Sequence, residues 1–427
     1  MTEPRLVLGR VQGRTLFPQK ESLTEAQMNH HVHVVGPSGY GKTVLLTHVI
    51  KHQIQTGKGL LFMDLKADME TILHFSKIAA DAGRAEDLQI FSISNPELSW
   101  SYNPFQGDTA NQLRDKIMAA LDWSEPYYKH QSASFLLKLL IGLKRLSARQ
   151  EITCTPALVR ECSTRGDEIA KCIRKLAKEE IHEARCLEEA YQFISTPEGQ
   201  KSLSGLRTQL DSLVLSDFGN LISGEGENQI DLFKSARDSK ITLIFLDSRR
   251  YPSTAKTMAR FLLQDLKAAS AKIDAEIPKE QRKPFAVIID EFADIANEDF
   301  VGFLDRARSS KMMLTIAHQE FSDLKRVSPE FAARVMANTS TLYAFMQKLP
   351  ESAELVSRMA GTKVGWEKTE RAQGLGFWDV RTGEKSLKRV DEFLIHPNQV
   401  KTLRVGECLS IKKYPRTKVR LVKVDRG

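Results

Sequence analysis

A glycine-rich octapeptide constrains the fold of this chain more than any other feature of its sequence. Residues 36–43 read GPSGYGKT, which fits the spacing GxxxxGK[ST]. The apolar run His33 to Val35 precedes the octapeptide, and a helical pattern from Thr43 to Gln55 follows it. In a strand, loop and helix of this kind, successive backbone N–H groups surround phosphate oxygens at a helix N-terminus, whose dipole also favours anions. The sequence therefore predicts a phosphate-binding loop and not merely a tight glycine turn.

Two side chains of this loop carry most of its predicted chemistry. Lys42 is expected to place a positive charge at the β and γ phosphates, and the Thr43 hydroxyl is expected to bind Mg²⁺. The predicted cofactors are therefore ATP and Mg²⁺. The residues expected to contact the nucleotide are Gly36, Pro37, Ser38, Gly39, Tyr40, Gly41, Lys42, Thr43 and Val44.

A pair of carboxylates supplies the second element that phosphate hydrolysis requires. Asp290 and Glu291 directly follow the apolar run Phe285 to Ile289. Asp290 is expected to hold Mg²⁺ through a bound water, and Glu291 is expected to polarise the attacking water. Without the phosphate loop, the same pair would indicate only a helix cap or a solvated turn.

Other polar residues follow or precede neighbouring strands. Gln319 ends the run Met312 to His318 and could sense the γ phosphate, or it could be an ordinary polar loop residue. Arg306 and Arg308 come before that run, and either could reach the nucleotide of an adjacent subunit or lie on a plain surface. Asp64 and Lys66 close the second strand, at the edge where doubly wound sheets bind ligands.

Alternation of apolar runs with helical patterns indicates the fold class. Helical spacing appears between several of the runs, as in Met258, Phe261, Leu262, Leu266, Ala269 and Ile273. This alternation predicts an α/β fold with a mainly parallel, doubly wound sheet. The predicted strands are Val32–Val35, Leu60–Met63, Leu88–Ile93, Leu243–Leu246, Val287–Ile289, Met312–Ile316 and Leu342–Phe345.

The alternation breaks between residues 109 and 235, where every segment has helical periodicity. Thr155-Pro156 and Thr196-Pro197 are typical of a helix N-cap followed by a first-turn proline. We therefore predict an all-α insertion domain over 109–235, within a nucleotide-binding domain formed by 29–108 and 236–427, after an N-terminal β segment over 1–28. The insertion holds 17 basic and 18 acidic residues, a balance that favours a protein partner over a phosphate backbone.

Composition narrows the class of protein further. The 427 residues are 41% apolar, which is enough for folded cores. No run reaches the roughly 18 apolar residues of a membrane helix, and acidic and basic residues near the start argue against a signal peptide. The five cysteines form no CxxC pair and have no metal-ligand spacing, so we expect them to be reduced, as in a cytosol.

The C-terminal segment carries a concentrated positive charge. Residues 385–427 hold 12 Lys and Arg against 4 Asp and Glu, whereas the whole chain has a net charge of +8. Two explanations remain open, a solvated sheet edge protected by charge and a surface for nucleic-acid phosphates. The residues concerned lie in segments with a strand-like pattern and are Lys412, Lys413, Arg416, Lys418 and Arg420.

Taken in order along the chain, these motifs resemble the type IV coupling proteins of conjugation and type IV secretion (TraD/TraG-like ATPases). These proteins are a branch of the RecA-like hexameric motors, to which FtsK-type and HerA-type translocases also belong. The octapeptide alone is shared by many nucleotide-binding proteins, but the combination is more specific. The segments that carry the resemblance are Gly36 to Thr43, Asp64-Leu65-Lys66, Asn103-Pro104, Asp290-Glu291-Phe292, Arg308 to Gln319 with Ser322-Asp323-Leu324, and Phe393 to Val424.

The resemblance implies a RecA-like P-loop NTPase that assembles as a hexamer and hydrolyses ATP at subunit interfaces. It also implies movement of DNA, expected to be single-stranded, or of a relaxase or other secreted protein towards a secretion channel. The all-α insertion would then recognise DNA-processing complexes and substrate proteins. Many relatives carry N-terminal transmembrane helices, so we expect this chain to act at the cytoplasmic face of the bacterial inner membrane, through partners or a missing anchor.

Two other functions remain open on the sequence. One is an FtsK- or HerA-like pump on double-stranded DNA, against which the large all-α insertion argues. The other is a recruitment scaffold in which ATP controls only assembly. ATP turnover that is independent of DNA, together with tight relaxase binding, would favour the scaffold.

Overall fold

A computed structural model describes residues 4–13, 19–66, 68–223, 228–375 and 378–426, with the backbone alone over 366–375 and 378–388. The strands are β1 Leu6–Val11, β2 Lys20–Leu23, β3 Val32–Val35, β4 Gly59–Asp64, β5 Leu88–Ser92, β6 Ile241–Phe245, β7 Phe285–Ile289, β8 Met312–His318, β9 Thr341–Ala344, β10 Thr362–Leu375, β11 Trp378–Phe393, β12 Glu407–Lys412 and β13 Lys418–Val424.

Helices occupy most of the remaining chain. They are α1 Glu25–Asn29, α2 Lys42–Gln55, α3 Met69–Asp81, α4 Ala110–Ala120, α5 Pro126–Ala148, α6 Pro156–Thr164, α7 Gly166–Lys175, α8 Ile181–Ile194, α9 Pro197–Ser202, α10 Ser204–Val214, α11 Leu232–Arg237, α12 Pro252–Glu276, α13 Asp299–Ala307, α14 Phe321–Lys325, α15 Pro329–Asn338, α16 Pro350–Ala360 and α17 Pro397–Lys401.

Each apolar run predicted as a strand is a strand in the structure, with ends that differ by at most two residues. The predicted helix starts are also confirmed. Thr155 caps α6 by accepting a hydrogen bond from the Leu158 N–H, and Thr196 caps α9 by accepting one from the Gly199 N–H. These local signals fix where elements begin, because a threonine hydroxyl satisfies an otherwise unpaired helix N–H.

The chain forms two compact units, Met1–His48 with Ile316–Gly427 and Val49–Thr315. The predicted domain boundaries near residues 28, 108 and 235 follow a different division of the chain and stay predictions. Strand β8 begins in the second unit and ends in the first.

The first unit joins parallel and antiparallel strands in the order β2, β1, β13, β12, β9, β3. Strand β3 is parallel to β9, whereas β12, β13, β1 and β2 add to it by antiparallel pairing. Its core includes Val35, Leu342, Val356 and Leu409, which are at most 2% exposed. The N-terminal strand β1 therefore extends the sheet that the C-terminal strands build.

The second unit contains the parallel strands β7, β4, β6 and β5, in that order. Every residue of β4, β6 and β7 is buried, as expected where a parallel sheet is covered on both faces. Such strands are buried along their whole length, which explains why they appear in the sequence as continuous apolar runs.

Helices α4 to α10 fill residues 110–214 of the second unit, and the described part of 109–235 contains no strand. Buried polar contacts connect this helical region to the rest of the unit. The Lys116 ammonium donates to the Pro104 carbonyl at 2.8 Å and forms ion pairs with Asp108 and Asp265. Asp265 also accepts a hydrogen bond from the Tyr102 hydroxyl. Burial raises the pKa of Asp265 to about 6, although Lys116 and Tyr102 oppose this shift.

Two further features of the described residues bear on the sequence predictions. None of their helices is long and apolar enough to cross a membrane. All five cysteines are free thiols, as predicted.

Candidate nucleotide site

The phosphate loop begins where β3 ends, within the first unit. The Gly36 N–H donates to the carbonyl of His318 at 3.2 Å. A Cβ atom on Gly36 would lie 2.5 Å from the Cβ of Phe345, so a larger residue would not fit without displacing that side chain. Gly41 has a φ of +110°, a conformation that residues with a side chain rarely adopt. Both glycines are therefore required by the shape of the loop.

Lys42 is the first residue of α2 and is 5% exposed. Its ammonium donates to the Gly36 carbonyl at 2.7 Å, which folds the side chain back over the loop. A positive charge thus lies beside the backbone predicted to surround the phosphates. Thr43 and Val44 follow in the first turn of α2, and both are exposed.

The acidic residues predicted to act with the loop lie in the second unit, and their arrangement depends on strand register. Strands β4 and β7 are parallel, and Met63 pairs with Ile289. Asp64 and Asp290, the next residue of each segment, therefore lie side by side at the carboxyl ends of the two strands. The Asp290 N–H donates to the Met63 carbonyl at 3.0 Å, and both carboxylates are almost fully buried.

Glu291 completes this cluster in an unusual conformation. Its carboxylate forms an ion pair with the Lys66 ammonium at 2.6 Å, and its backbone N–H donates to the Asp290 carboxylate at 2.9 Å. Its φ of 50° lies in the left-handed region, which costs a residue with a side chain on the order of 1–3 kcal/mol. Strained conformations cluster at active sites and ligand-binding loops, although His31, Gln150, Ser239 and Lys311 of this chain also have a positive φ.

Burial and neighbouring charges change the acidity of the cluster. Burial, and after it the Asp290 charge, raise the pKa of Asp64 to about 6. The Lys66 N–H and ammonium oppose these effects, and Glu291 adds to them. Burial would lower the pKa of Lys66, but Glu291 and Asp290 raise it above its usual value. A lysine thus compensates three neighbouring carboxyl groups, a grouping typical of a functional site.

A pair of buried histidines, which no motif in the sequence indicates, lies beside the phosphate loop. His318 Nδ1 lies 2.9 Å from the Glu320 carbonyl, which requires a proton on that nitrogen. His318 Nε2 then accepts a hydrogen bond from His33 Nε2 at 2.5 Å. Burial, followed by the influence of His318, lowers the pKa of His33 well below its usual value. The hydrogen bond between these two neutral histidines connects β3, the strand before the loop, to His318, the residue before Gln319.

The remaining predicted residues lie at exposed positions. Gln319 follows β8 in the first unit. In the second unit, Arg306 is in the last turn of α13, and Arg308 caps that helix. The catalytic and metal-binding roles predicted for Lys42, Thr43, Asp290, Glu291 and these three residues stay predictions.

The structure corrects one expectation for the basic C-terminal segment. Lys412 is neither a solvated edge residue nor an exposed phosphate ligand, because its side chain is 7% exposed and lies 2.5 Å from the buried Glu21 carboxylate. Lys413 and Arg416 lie in the connection between β12 and β13 and not in a strand. Lys418 and Arg420 are in β13, as expected.

Comparisons with known proteins confirm the resemblance to the type IV coupling proteins. The family described as the TraM recognition site of TraD and TraG matches residues 284–405. The type 4 coupling protein DotL of Legionella pneumophila is 20% identical over 470 residues, covering 91% of this chain. The chain spans 60% of the length of DotL.

Solved structures confirm the fold class. The bacterial conjugative coupling protein TrwBΔN70 matches with a TM-score of 0.66 and 16% identity over 95% of this chain and 87% of that chain. TrwB in complex with ADP and Mg²⁺ matches with a TM-score of 0.65 and 17% identity, with coverages of 95% and 87%. VirB4 of Thermoanaerobacter pseudethanolicus has a TM-score of 0.57 and 11% identity, with coverages of 100% and 98%. The chain therefore has the RecA-like P-loop fold.

Proposed function

We propose that this chain is an ATP-hydrolysing coupling protein that recruits DNA, or a protein attached to DNA, and moves it to a type IV secretion or conjugation channel. The observation that carries this proposal is the phosphate loop after β3, with Lys42 folded onto the Gly36 carbonyl. Similarity to DotL over 91% of the chain and to TrwB over 95% of it supports the coupling role.

ATP would be held mainly by the loop. Backbone N–H groups between Ser38 and Thr43 would bind the phosphates, and the Lys42 ammonium would exchange the Gly36 carbonyl for phosphate oxygens. This exchange is chemically reasonable, because a charged phosphate oxygen is a stronger acceptor for an ammonium than a neutral carbonyl. TrwB has been solved in complex with ADP and Mg²⁺ and with a non-hydrolysable ATP analogue.

The oxygen groups present suit a magnesium ion. Thr43 offers a hydroxyl and Asp290 a carboxylate, and Mg²⁺ is usually held by one or two such groups plus substrate phosphates and water. Within the described residues, no group of three or more His, Cys, Asp or Glu side chains is arranged to hold a metal alone. When bound, Mg²⁺ would neutralise negative charge on the phosphates.

Glu291 would act as the base that polarises the attacking water. The Lys66 ammonium lies 2.6 Å from this carboxylate and so fixes its position. The left-handed backbone at Glu291 fixes the start of its side chain relative to Asp290. Lys66 therefore has a positioning role in this proposal, although it was not assigned one from the sequence.

Assembly would complete the site. We assign to Arg306 or Arg308 the stabilisation of transition-state charge in a neighbouring subunit of a hexamer, and to Gln319 the sensing of the γ phosphate. Both arginines are exposed, as a residue acting on another subunit must be before assembly. The proposed partners are DNA, relaxase or other secreted proteins and channel components, at the cytoplasmic face of the inner membrane.

The decisive experiment measures ATP hydrolysis with and without single- and double-stranded DNA, alongside mass by light scattering. A coupling protein of this kind should hydrolyse ATP faster with DNA, and its activity per chain should rise with protein concentration as subunits assemble. Full specific activity in a demonstrably monomeric sample would refute the interface site and the roles of both arginines.

The same measurements discriminate among the alternatives. Stronger stimulation by double-stranded than by single-stranded DNA would favour a double-stranded DNA pump. A rate of ATP hydrolysis that does not change when DNA is added, combined with tight relaxase binding, would favour a recruitment scaffold.

A further inference from the structure

A basic cavity of about 470 Å³ lies in the first unit, away from the phosphate loop. Strands β2, β12 and β13 and the start of α1 contribute its lining. We call it the basic cavity and define it by five cationic side chains. These are Arg5, Lys20, Lys412, Lys418 and Arg420.

Internal contacts neutralise only part of this charge. The fully buried Glu21 carboxylate accepts hydrogen bonds from Tyr343 at 2.9 Å and from Ser410 at 2.8 Å, and it pairs with Lys412 at 2.5 Å. Arg420 lies 3.8 Å from the other Glu21 oxygen. This one carboxylate therefore lies near two of the five cations, and the cavity keeps a net positive charge.

The other three cations line the solvent side of the cavity. Arg5, Lys20 and Lys418 are exposed, and none forms an ion pair with an acidic side chain of the described residues. Burial lowers the pKa of Lys412, Glu21 opposes this shift, and the charges of Arg420 and Lys418 lower it further. The positive charges thus repel one another, and an anion in the cavity would relieve that repulsion.

An aromatic side chain borders the same cavity. Tyr414 stacks on His30 with ring centroids 3.8 Å apart and an interplanar angle of 16°. Gln27 donates to the Tyr414 carbonyl at 3.1 Å, which helps to fix the residue. Tyr414 is nonetheless 38% exposed, so part of its ring remains accessible beside the cations.

Strand register places the cavity at the opposite end of the sheet from the phosphate loop. Val32, at the start of β3, pairs with Thr341, which pairs with Lys412. The loop instead follows Val35, at the other end of β3. The two anion-binding features are therefore separated by the length of the strand.

We propose that the basic cavity binds the backbone phosphates of a single-stranded nucleic acid, with a base stacked on Tyr414. This inference rests on the proposed function, because it locates the nucleic-acid contact of that function. Cations in a groove beside an aromatic ring are the combination by which proteins hold single strands without sequence preference. A lipid surface fits less well, because Ala26 and Pro415 are the only aliphatic residues in the cavity lining.

Removal of two exposed charges tests the phosphate contact. Lys20→Gln with Lys418→Gln removes charge without creating a new ion pair, and Lys51→Gln with Lys77→Gln is the control for net charge at exposed helix positions. Binding of a fluorescent oligothymidine is measured by anisotropy at several salt concentrations. Each lost contact should reduce the slope of log affinity against log salt by about 0.7, so the cavity variant should lose roughly 1.4 and the control almost nothing.

A second pair of variants tests stacking. Tyr414→Leu should weaken binding roughly 5- to 100-fold, whereas Tyr414→Phe keeps the ring and should bind like the parent. Binding of a fluorescent ATP analogue to the phosphate loop should stay unchanged in all these variants, which verifies that they are folded.

The outcomes separate this inference from the proposed function. Failure of the parent protein to bind the oligonucleotide would overturn both. Normal parental binding with an unchanged salt slope in the Lys20 and Lys418 variant would overturn only the basic cavity. The basic-cavity proposal would also be overturned if the Lys20 and Lys418 variant kept oligonucleotide binding but lost binding to phosphatidylserine vesicles. The cavity would then be a membrane contact.

Discussion

The phosphate loop and the acidic cluster differ in how the chain brings their residues together. The loop is eight consecutive residues, shaped by glycines and carrying one buried ammonium. The acidic cluster combines residues 64–66 with 290–291, which are distant in sequence and adjacent only because β4 and β7 pair in a particular register. One depends on local conformation and the other on tertiary structure.

This difference has a consequence for pH dependence. Recognition of phosphate by backbone N–H groups involves no titrating group, since amides keep their protons throughout the physiological range. The cluster instead holds Asp64, whose pKa is raised by burial and by Asp290 to about 6. Changes in pH should therefore act on the acidic cluster more than on the loop.

The largest expected effect is on the cluster. Glu291→Gln keeps size and hydrogen bonding but removes the group that polarises water, so turnover should fall roughly 10²- to 10⁴-fold while ATP still binds. Steady-state phosphate release and titration with a fluorescent ATP analogue measure the two quantities. Glu298→Gln, at an exposed position nearby, is the control. Parental turnover in Glu291→Gln would assign the base to another residue, such as Asp294.

The second prediction concerns the stability of the cluster without nucleotide or metal. Asp64 is 6% exposed and has a folded-state pKa of about 6, above its ordinary value of 3.8, so its ionisation opposes folding. Below about pH 4 the aspartate is protonated in both states and costs nothing. Between about pH 4 and pH 6 the unfolded chain releases this proton while the folded chain keeps it, so the parent loses stability relative to Asp64→Asn, by roughly 3 kcal/mol at most. Above about pH 6 the difference stays constant.

Chemical denaturation of both proteins in a chelator, from pH 4 to pH 8, measures this difference. Asp81→Asn, at an exposed helix position, provides the comparison for a surface carboxylate. A stability advantage of Asp64→Asn that stayed constant with pH would contradict the raised pKa.

Local signals explain why the strands, the helix caps and the loop could be predicted. A buried parallel strand must be apolar along its length. Thr155 and Thr196 mark helix starts because each accepts a hydrogen bond from the N–H of the residue three positions later. The octapeptide likewise owes its predictable shape to its own glycines, such as Gly41 with a φ of +110°. The close approach of Gly36 to Phe345, by contrast, is a tertiary contact that no local pattern reveals.

Contacts across strands could not be predicted in the same way. The Lys66 to Glu291 ion pair, the His33 to His318 hydrogen bond and the Lys412 to Glu21 ion pair each join segments far apart in sequence. A one-residue change of register would exchange the two faces of a strand and abolish such pairs. Lys412 shows the consequence, since its charge suggested an exposed position that strand pairing excludes.

The third prediction concerns ATP binding by the phosphate loop. Lys42→Ala removes a charged donor, worth about 1.5–3 kcal/mol, so the affinity for ATP should fall roughly 10- to 150-fold and hydrolysis should fall with it. Titration with the fluorescent analogue measures affinity, and Lys51→Ala on an exposed position of α2 is the control. Unchanged affinity would show that the Lys42 ammonium stays on the Gly36 carbonyl when nucleotide binds.

The smallest expected effect isolates the charge of Lys66. Lys66→Met keeps the backbone N–H that donates to Asp64 at 3.0 Å but removes the ammonium that lowers the pKa of Asp64. That pKa should rise above about 6, by a fraction of a unit only, because the Lys66 side chain is 34% exposed and water screens its charge. The stability difference between Lys66→Met and its double variant with Asp64→Asn should therefore level off at a higher pH than the difference between the parent and Asp64→Asn, because the folded-state pKa sets where it stops growing. If the difference instead levels off at the same pH or at a lower pH, the backbone N–H of Lys66, and not its ammonium, opposes the effect of burial on the pKa of Asp64.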